Sequence, residues 1–253
     1  MANYILKSGN NLLRSGSYIL TTSDSAPLPD LDINPALFKN LDGNPYNNNE
    51  LLPELQDSSG NQVKTLQLDT VRQALFKTNI IKGLPIIDFD GVNDYYTLGQ
   101  YINTGALFAV VRAKNTTQRA AMFGNSANPN GPVSANSNWQ WMGNLGSTAQ
   151  WFNQNTTVNS ATNITQGNNS KLYINGGNPI ATHLALKTGA WELLTLDITN
   201  SAIGITQIGG EYRLNAGVEF FANFQFARII VYRKRLIEYH LLKKRDELLT
   251  QYF

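Results

Sequence analysis

Gly83-Leu-Pro-Ile-Ile-Asp-Phe-Asp-Gly-Val-Asn-Asp-Tyr95 places two β-prone runs on either side of a stretch built for a chain reversal. Pro85–Phe89 and Tyr95–Leu98 are rich in branched and aromatic side chains, which suit a pleated, half-buried surface. Asp90-Gly-Val-Asn-Asp94 between them supplies residues that accept tight-turn geometry and bond their own backbone. The spacing predicts a hairpin. The same grammar recurs along the chain. Ala106–Val111 is a continuous apolar run, expected to be a strand covered on both faces. Lys171-Leu-Tyr-Ile-Asn-Gly-Gly177 runs from strand residues into a glycine turn, Trp191–Ile198 alternates for much of its length, and Phe224–Tyr232 is long and β-prone. Short strands between Gly, Asn and Pro clusters predict an all-β sandwich or barrel.

Only the end of the chain changes period. From Leu236 to Phe253, Ile237, Leu241, Leu248 and Tyr252 keep helical spacing, with Lys243–Glu247 charged between them. One amphipathic helix is expected to close the domain.

Composition narrows the function classes. A 253-residue chain with 42% hydrophobic residues can bury a sizeable core. Twenty basic and 18 acidic residues leave a net charge of +2, and no basic run is long enough to follow a phosphate backbone. Nucleic acid is therefore not an expected partner. Arg233–Arg235 and Lys243–Arg245 read as the solvated face of the helix and its approach. The absence of cysteine removes disulfides, thiolate nucleophiles and Cys-ligated zinc. No stretch of about 18 apolar residues would span a bilayer, so no membrane partner is expected. The N-terminus lacks the apolar core of a signal peptide, which gives the expectation of a product made in the cytoplasm.

Three parts are expected. Residues 1–25 hold a seven-residue repeat, Ile5-Leu6-Lys7-Ser8-Gly9 returning as Leu12-Leu13-Arg14-Ser15-Gly16 and beginning again at Ile19-Leu20. Its glycines and adjacent apolar pairs argue against a coiled coil. It suits very short strands that need another surface to lie on, a docking arm whose contacts would be Ile5, Leu6, Leu12, Leu13, Ile19 and Leu20. Residues 26–50, with Pro27-Leu-Pro-Asp30 and Asn44-Pro-Tyr-Asn-Asn-Asn49, read as a Pro/Asn-rich linker. Residues 51–253 form the folded domain.

Several phrases in this domain resemble the laminin-G-like jelly roll of the concanavalin A-like lectin/glucanase superfamily, as found in bacteriophage surface proteins. Asp57-Ser-Ser-Gly-Asn61 is similar to its D-x-SGN turn, and Gly83–Tyr95 to its G-x-P-x-x-x-FDG-x-x-DY segment. Leu172-Tyr-Ile-Asn-Gly176 resembles "LYVNG", Ile208-Gly-Gly210 a late "IGG" step, and Phe226–Tyr232 with Leu236 the closing strand and helix. Arg228 stands where the family often carries Glu. The resemblance implies a two-sheet antiparallel jelly-roll sandwich with a concave face and, in some members, calcium-dependent sugar binding.

Chemistry is harder to find. Glycosidases of this fold set carboxylates on alternate residues of one strand, E-x-D-x-E, so that they project from one face. The nearest string here, Glu192-Leu-Leu-Thr-Leu-Asp197, spaces its acids an odd number of positions apart and on opposite faces of a strand. His183 and His240 sit in unrelated contexts. The expectation is a protein that is not an enzyme, with no catalytic residues and no cofactor. Calcium is the alternative, with Asp88, Asp90, Asn93 and Asp94 offering oxygen ligands in one turn, against the simpler reading that they hold the turn together. Trp139, Trp141 and Trp151, among Asn and Gln amides, are the candidates for contact with a sugar, core packing being the competing role.

These features together predict a virion structural and adhesion protein, a phage capsid decoration, head fibre or tail component. It would join other virion proteins in a larger assembly through its arm and display the sandwich on the virion surface toward cell-surface glycans. A free carbohydrate-binding module or lectin is the alternative, and a glycan-degrading enzyme the third reading.

Overall fold

A computed structural model of the chain describes residues 26–114, 122–124, 171–179, 189–198, 204–210 and 221–253, together with the backbone of short strands at 12–15, 18–21, 139–140, 143–144, 149–150, 153–154, 211–213 and 217–219. Among the described residues the protein is mostly β, with two larger antiparallel sheets, four two-stranded ribbons and one C-terminal α-helix.

The strands of the two sheets are β1 (Leu31–Ile33), β2 (Glu50–Leu51), β3 (Thr65–Leu66), β4 (Leu75–Ile81), β5 (Leu84–Asp88), β6 (Tyr96–Asn103), β7 (Ala106–Ala113), β8 (Phe123–Gly124), β9 (Lys171–Ile174), β10 (Trp191–Asp197), β11 (Gly204–Ile208) and β12 (Phe224–Tyr232), and the helix is α1 (Glu238–Tyr252). The larger, eight-stranded sheet runs β9-β10-β7-β12-β5-β4-β2, with β1 pairing along the second half of β12. The smaller sheet runs β8-β11-β6-β3.

The alternation of side chains along β7 shows how the layers are built. Leu107, Ala109 and Val111 enter the core shared by the two sheets, where Tyr96, Leu98 and Ile102 of β6 and Ile205 and Ile208 of β11 meet them. Ala106, Phe108 and Val110 point the other way, into a second apolar cluster under α1. The run reads as uninterrupted apolar sequence because both faces are covered. The same holds for Leu193 and Leu194 of β10 and for Ile229 and Ile230 of β12, which divide between the two clusters.

The opening stretch is not a hairpin. Its two strands go to different sheets, β5 to the larger and β6 to the smaller, and 90–95 is the corner between them. The hairpin lies one element earlier, β4 with β5, where Ile81 opposes Leu84 across Lys82-Gly83. Lys82 and Gly83 both have positive φ, 46° and 78°, the backbone of a type I′ turn whose twist matches the strands it joins. A second passage between sheets, β6 to β7, turns at Gly105. Its N–H donates to the Tyr232 carbonyl, and a Cβ there would fall well inside van der Waals distance of the Lys234 and Arg235 backbone.

The stretch 26–50 is more than a linker. Leu31, Ile33, Phe38 and Tyr46 are buried in the inter-sheet core. Asp57, in the Asp57–Asn61 turn, accepts from the backbone N–H groups of Asp32, Ser59 and Val63, and Asn61 Nδ2 donates to the Pro29 and Asp30 carbonyls. That turn thus clamps β1 to the sandwich. Composition misled here because Pro and Asn serve an irregular but packed path as well as a mobile one.

Candidate functional site

Asp90 and Asp94 organise the corner. Asp90 Oδ1 accepts from the amides of Val92, Asn93 and Asp94, and Asp94 Oδ2 accepts from Asp90 N at 2.8 Å. Gly91, with φ of 77°, lies so close to Asn223 that a Cβ would collide with it, so glycine is required there for both conformation and space. Asp88, at the end of β5, pairs with Lys114 at 2.5 Å. Of the four calcium candidates, three therefore have at least one oxygen engaged by an amide or an ammonium, while Asn93 Oδ1 is buried with no hydrogen-bond partner. Among the described residues no group of three or more His, Asp or Glu side chains is placed to hold a metal ion.

Beside the corner lies a cleft of about 280 Å³, lined in part by Thr70, Gln73, Asp88, Asp90, Asp94 and Lys114. Asp94 is 5% exposed. Burial, helped by the neighbouring Asp90 and Asp88 charges and opposed by the Asp90 amide and Lys114, pushes its carboxyl up to about 6. Its folded value lies above the unfolded one, so the charged form works against the fold, and stability falls as pH rises from about 4 to about 6. Asp94→Asn keeps an acceptor for the Asp90 amide and removes the charge. The variant is expected to gain about 2–3 kcal/mol at neutral pH and to lose this part of the pH dependence. Chemical denaturation of both proteins across that window checks it; parallel profiles would reject the assignment.

The cleft opens at one end of a row that crosses four neighbouring strands. Trp191 of β10 stands opposite Arg112 of β7, Arg112 opposite Gln225 of β12, and Gln225 opposite Asp88 of β5. All four share the face that, farther along the strands, carries Phe108, Val110, Leu193, Ala227 and Ile86 in the cluster with α1. The Arg112 guanidinium carbon lies 5.3 Å from the Trp191 ring centroid, a cation–π contact. Gln225 is 6% exposed, and its Oε1 is buried with no hydrogen-bond partner, as is Arg112 Nε. No linear motif announces this row. Its members are far apart in sequence, and Trp191 read only as the start of a strand.

The tryptophans expected to meet a sugar lie largely outside the described residues. Trp139 lies in a two-residue strand whose backbone opposes Gln154, and Trp141 and Trp151 lie outside the described residues. Ile5 and Leu6 of the arm also lie outside them, as does His183. Leu12, Leu13, Ile19 and Leu20 belong to two short strands, Leu12–Ser15 and Tyr18–Thr21, paired antiparallel with Leu13 opposite Leu20. Glu192 has the parity of Leu194 and Leu196, which face the inter-sheet core, while Asp197 has that of Leu193 and binds Arg235.

No protein-family profile matches the sequence, and no curated protein matches it. Among solved structures, a Trypanosoma rangeli sialidase in complex with sialic acid is similar at 11% identity and a TM-score of 0.40, covering 79% of this chain and 32% of that one. The chain thus spans about a third of that structure's length. That protein is an enzyme, and the expectation that this chain is not one is withdrawn. It rested on a missing linear string, whereas active sites assemble from side chains distant in sequence. At this level of likeness the similarity carries no argument for a particular activity or fold.

Proposed function

We propose that this chain is a virion surface protein, an adhesion component whose sandwich is of the concanavalin A-like, laminin-G-like jelly-roll kind and recognises glycans, and whose first 25 residues dock it to other virion proteins. The observation that carries the reading is the segregation of the arm. Among the described residues, Leu12–Ser15 and Tyr18–Thr21 pair with each other and belong to neither sheet of the sandwich. A two-stranded ribbon of four residues a side is marginal alone and gains stability from a surface that accepts it. Neighbouring subunits offering strand edges would supply one. Among the described residues, the core of the sandwich begins at Leu31 of β1.

Deleting residues 2–22 is expected to leave the melting temperature of the sandwich within a few degrees of the full chain and to abolish its incorporation into particles. Both are measured on one preparation, by thermal unfolding and by co-sedimentation with particles assembled in its presence. Unfolding of the truncated protein, or its normal incorporation, would refute the docking role.

A further inference from the structure

On the basis of this glycan-recognising reading, we propose that the polar end of the larger sheet's outer face, beyond the cluster under α1, is a saccharide site. A neutral oligosaccharide would lie across the strands, one ring against Trp191 and another in the Asp88–Asp94 cleft.

The face changes character along its strands. Under α1 it is apolar: Phe108, Val110 and Ile86 are fully buried. Two residues farther along the same strands the positions on this face are Trp191, Arg112, Gln225 and Asp88. Polar atoms withdrawn from water normally have a partner, because leaving one without costs the full desolvation penalty. Gln225 Oε1 and Arg112 Nε have none, and they lie on adjacent strands between the tryptophan and the cleft. An acceptor and a donor side by side match a sugar hydroxyl, which supplies both in return.

The two ends of the row suit the two surfaces of a sugar ring. Trp191, packed on the cluster under α1 with Arg112 against its ring, offers its remaining exposed aromatic surface to the apolar C–H face, and the cleft offers carboxylates to hydroxyl donors. Three strand spacings separate Trp191 from Asp88, roughly 14 Å, which a single ring does not bridge. An oligosaccharide does. Charge selects within that class: among the described residues lining the cleft, the carboxylates of Asp88, Asp90 and Asp94 outnumber the ammonium of Lys114, so an acidic sugar is repelled there.

The test uses the full chain against immobilised neutral gluco-, galacto- and manno-oligosaccharides, with sialylated and uronic-acid oligosaccharides as the acidic arm. Gln225→Leu removes an unpartnered amide and is expected to keep or raise the melting temperature while weakening binding by roughly tenfold or more. Trp191→Leu is expected to weaken it similarly. A neutral oligosaccharide bound by the wild type and lost in both folded variants supports the site. Binding unchanged in both overturns the site and leaves glycan recognition standing elsewhere on the protein. Failure of the wild type to bind any oligosaccharide overturns both readings, and binding of acidic sugars alone overturns the assignment of ligand class.

Discussion

Ending the chain after Tyr232 is expected to abolish the cooperative unfolding transition and to leave a protein that aggregates or binds a hydrophobic dye. The truncation removes Leu236, Leu241, Leu248 and Tyr252, all buried. Each is worth about 1.5–3 kcal/mol in burial alone, so the loss rivals the roughly 5–15 kcal/mol that holds an ordinary domain together. It also uncovers Phe108, Val110, Leu193 and Ile230, a contiguous apolar surface on a sheet that contains the longest strand of the fold. Near-ultraviolet circular dichroism and dye binding would separate a molten product from a folded one. A truncated chain that melts cooperatively would assign the helix to a partner instead. Ile237, although in helical register with the buried residues, is 51% exposed and stands at the N-cap without a side-chain cap, so Ile237→Ala, which neither removes nor adds a cap, serves as the control with little expected effect.

Asp32→Ala is expected to cost about 3–5 kcal/mol, because it strands a buried guanidinium. Arg228 reaches from β12 to β1 and donates to both Asp32 oxygens at 2.7 Å, with the two side chains 17% and 11% exposed. Burial draws the Arg228 pKa down, and the hydrogen bonds and charge of Asp32, followed by those of Tyr252, more than restore it. Removing the Asp32 carboxylate leaves the burial and deletes the leading part of the compensation. The double change Asp32→Leu with Arg228→Met replaces both charges by apolar groups and should recover most of the loss. Denaturant midpoints of the wild type and both variants decide it. A single variant as stable as the wild type would mean that water reaches Arg228 freely, and the pair would then be a surface contact.

That pair also explains why part of the domain was invisible in the sequence. Asp30-Leu-Asp-Ile33 lies in a stretch whose prolines and asparagines resemble a linker. It becomes a strand because Arg228, Asp57 and the backbone of β12, all distant in sequence, accept it. Local composition contains none of those partners.

The elements most legible in the sequence were those whose environment is imprinted on consecutive residues. Ala106–Ala113 and Phe224–Tyr232 are buried on both faces, so nearly every position had to be apolar and the runs could be recognised without knowing their neighbours. The closing helix was legible from the spacing of Leu241, Leu248 and Tyr252, since a single covered face imposes a helical period. The turn chemistry of Asp90–Asp94 was legible because its hydrogen bonds are local.

Pairing was decided by the tertiary structure alone. Pro85–Phe89 and Tyr95–Leu98 have the composition of hairpin partners, yet β5 pairs with β4 and β12, and β6 with β3 and β11. A strand's residues encode which face is buried and not which edge it meets, because backbone hydrogen bonds are the same for every partner. The row from Trp191 through Arg112 and Gln225 to Asp88 is the same lesson applied to the candidate site. Its four side chains come from four strands, and only the register of the folded sheet makes them neighbours.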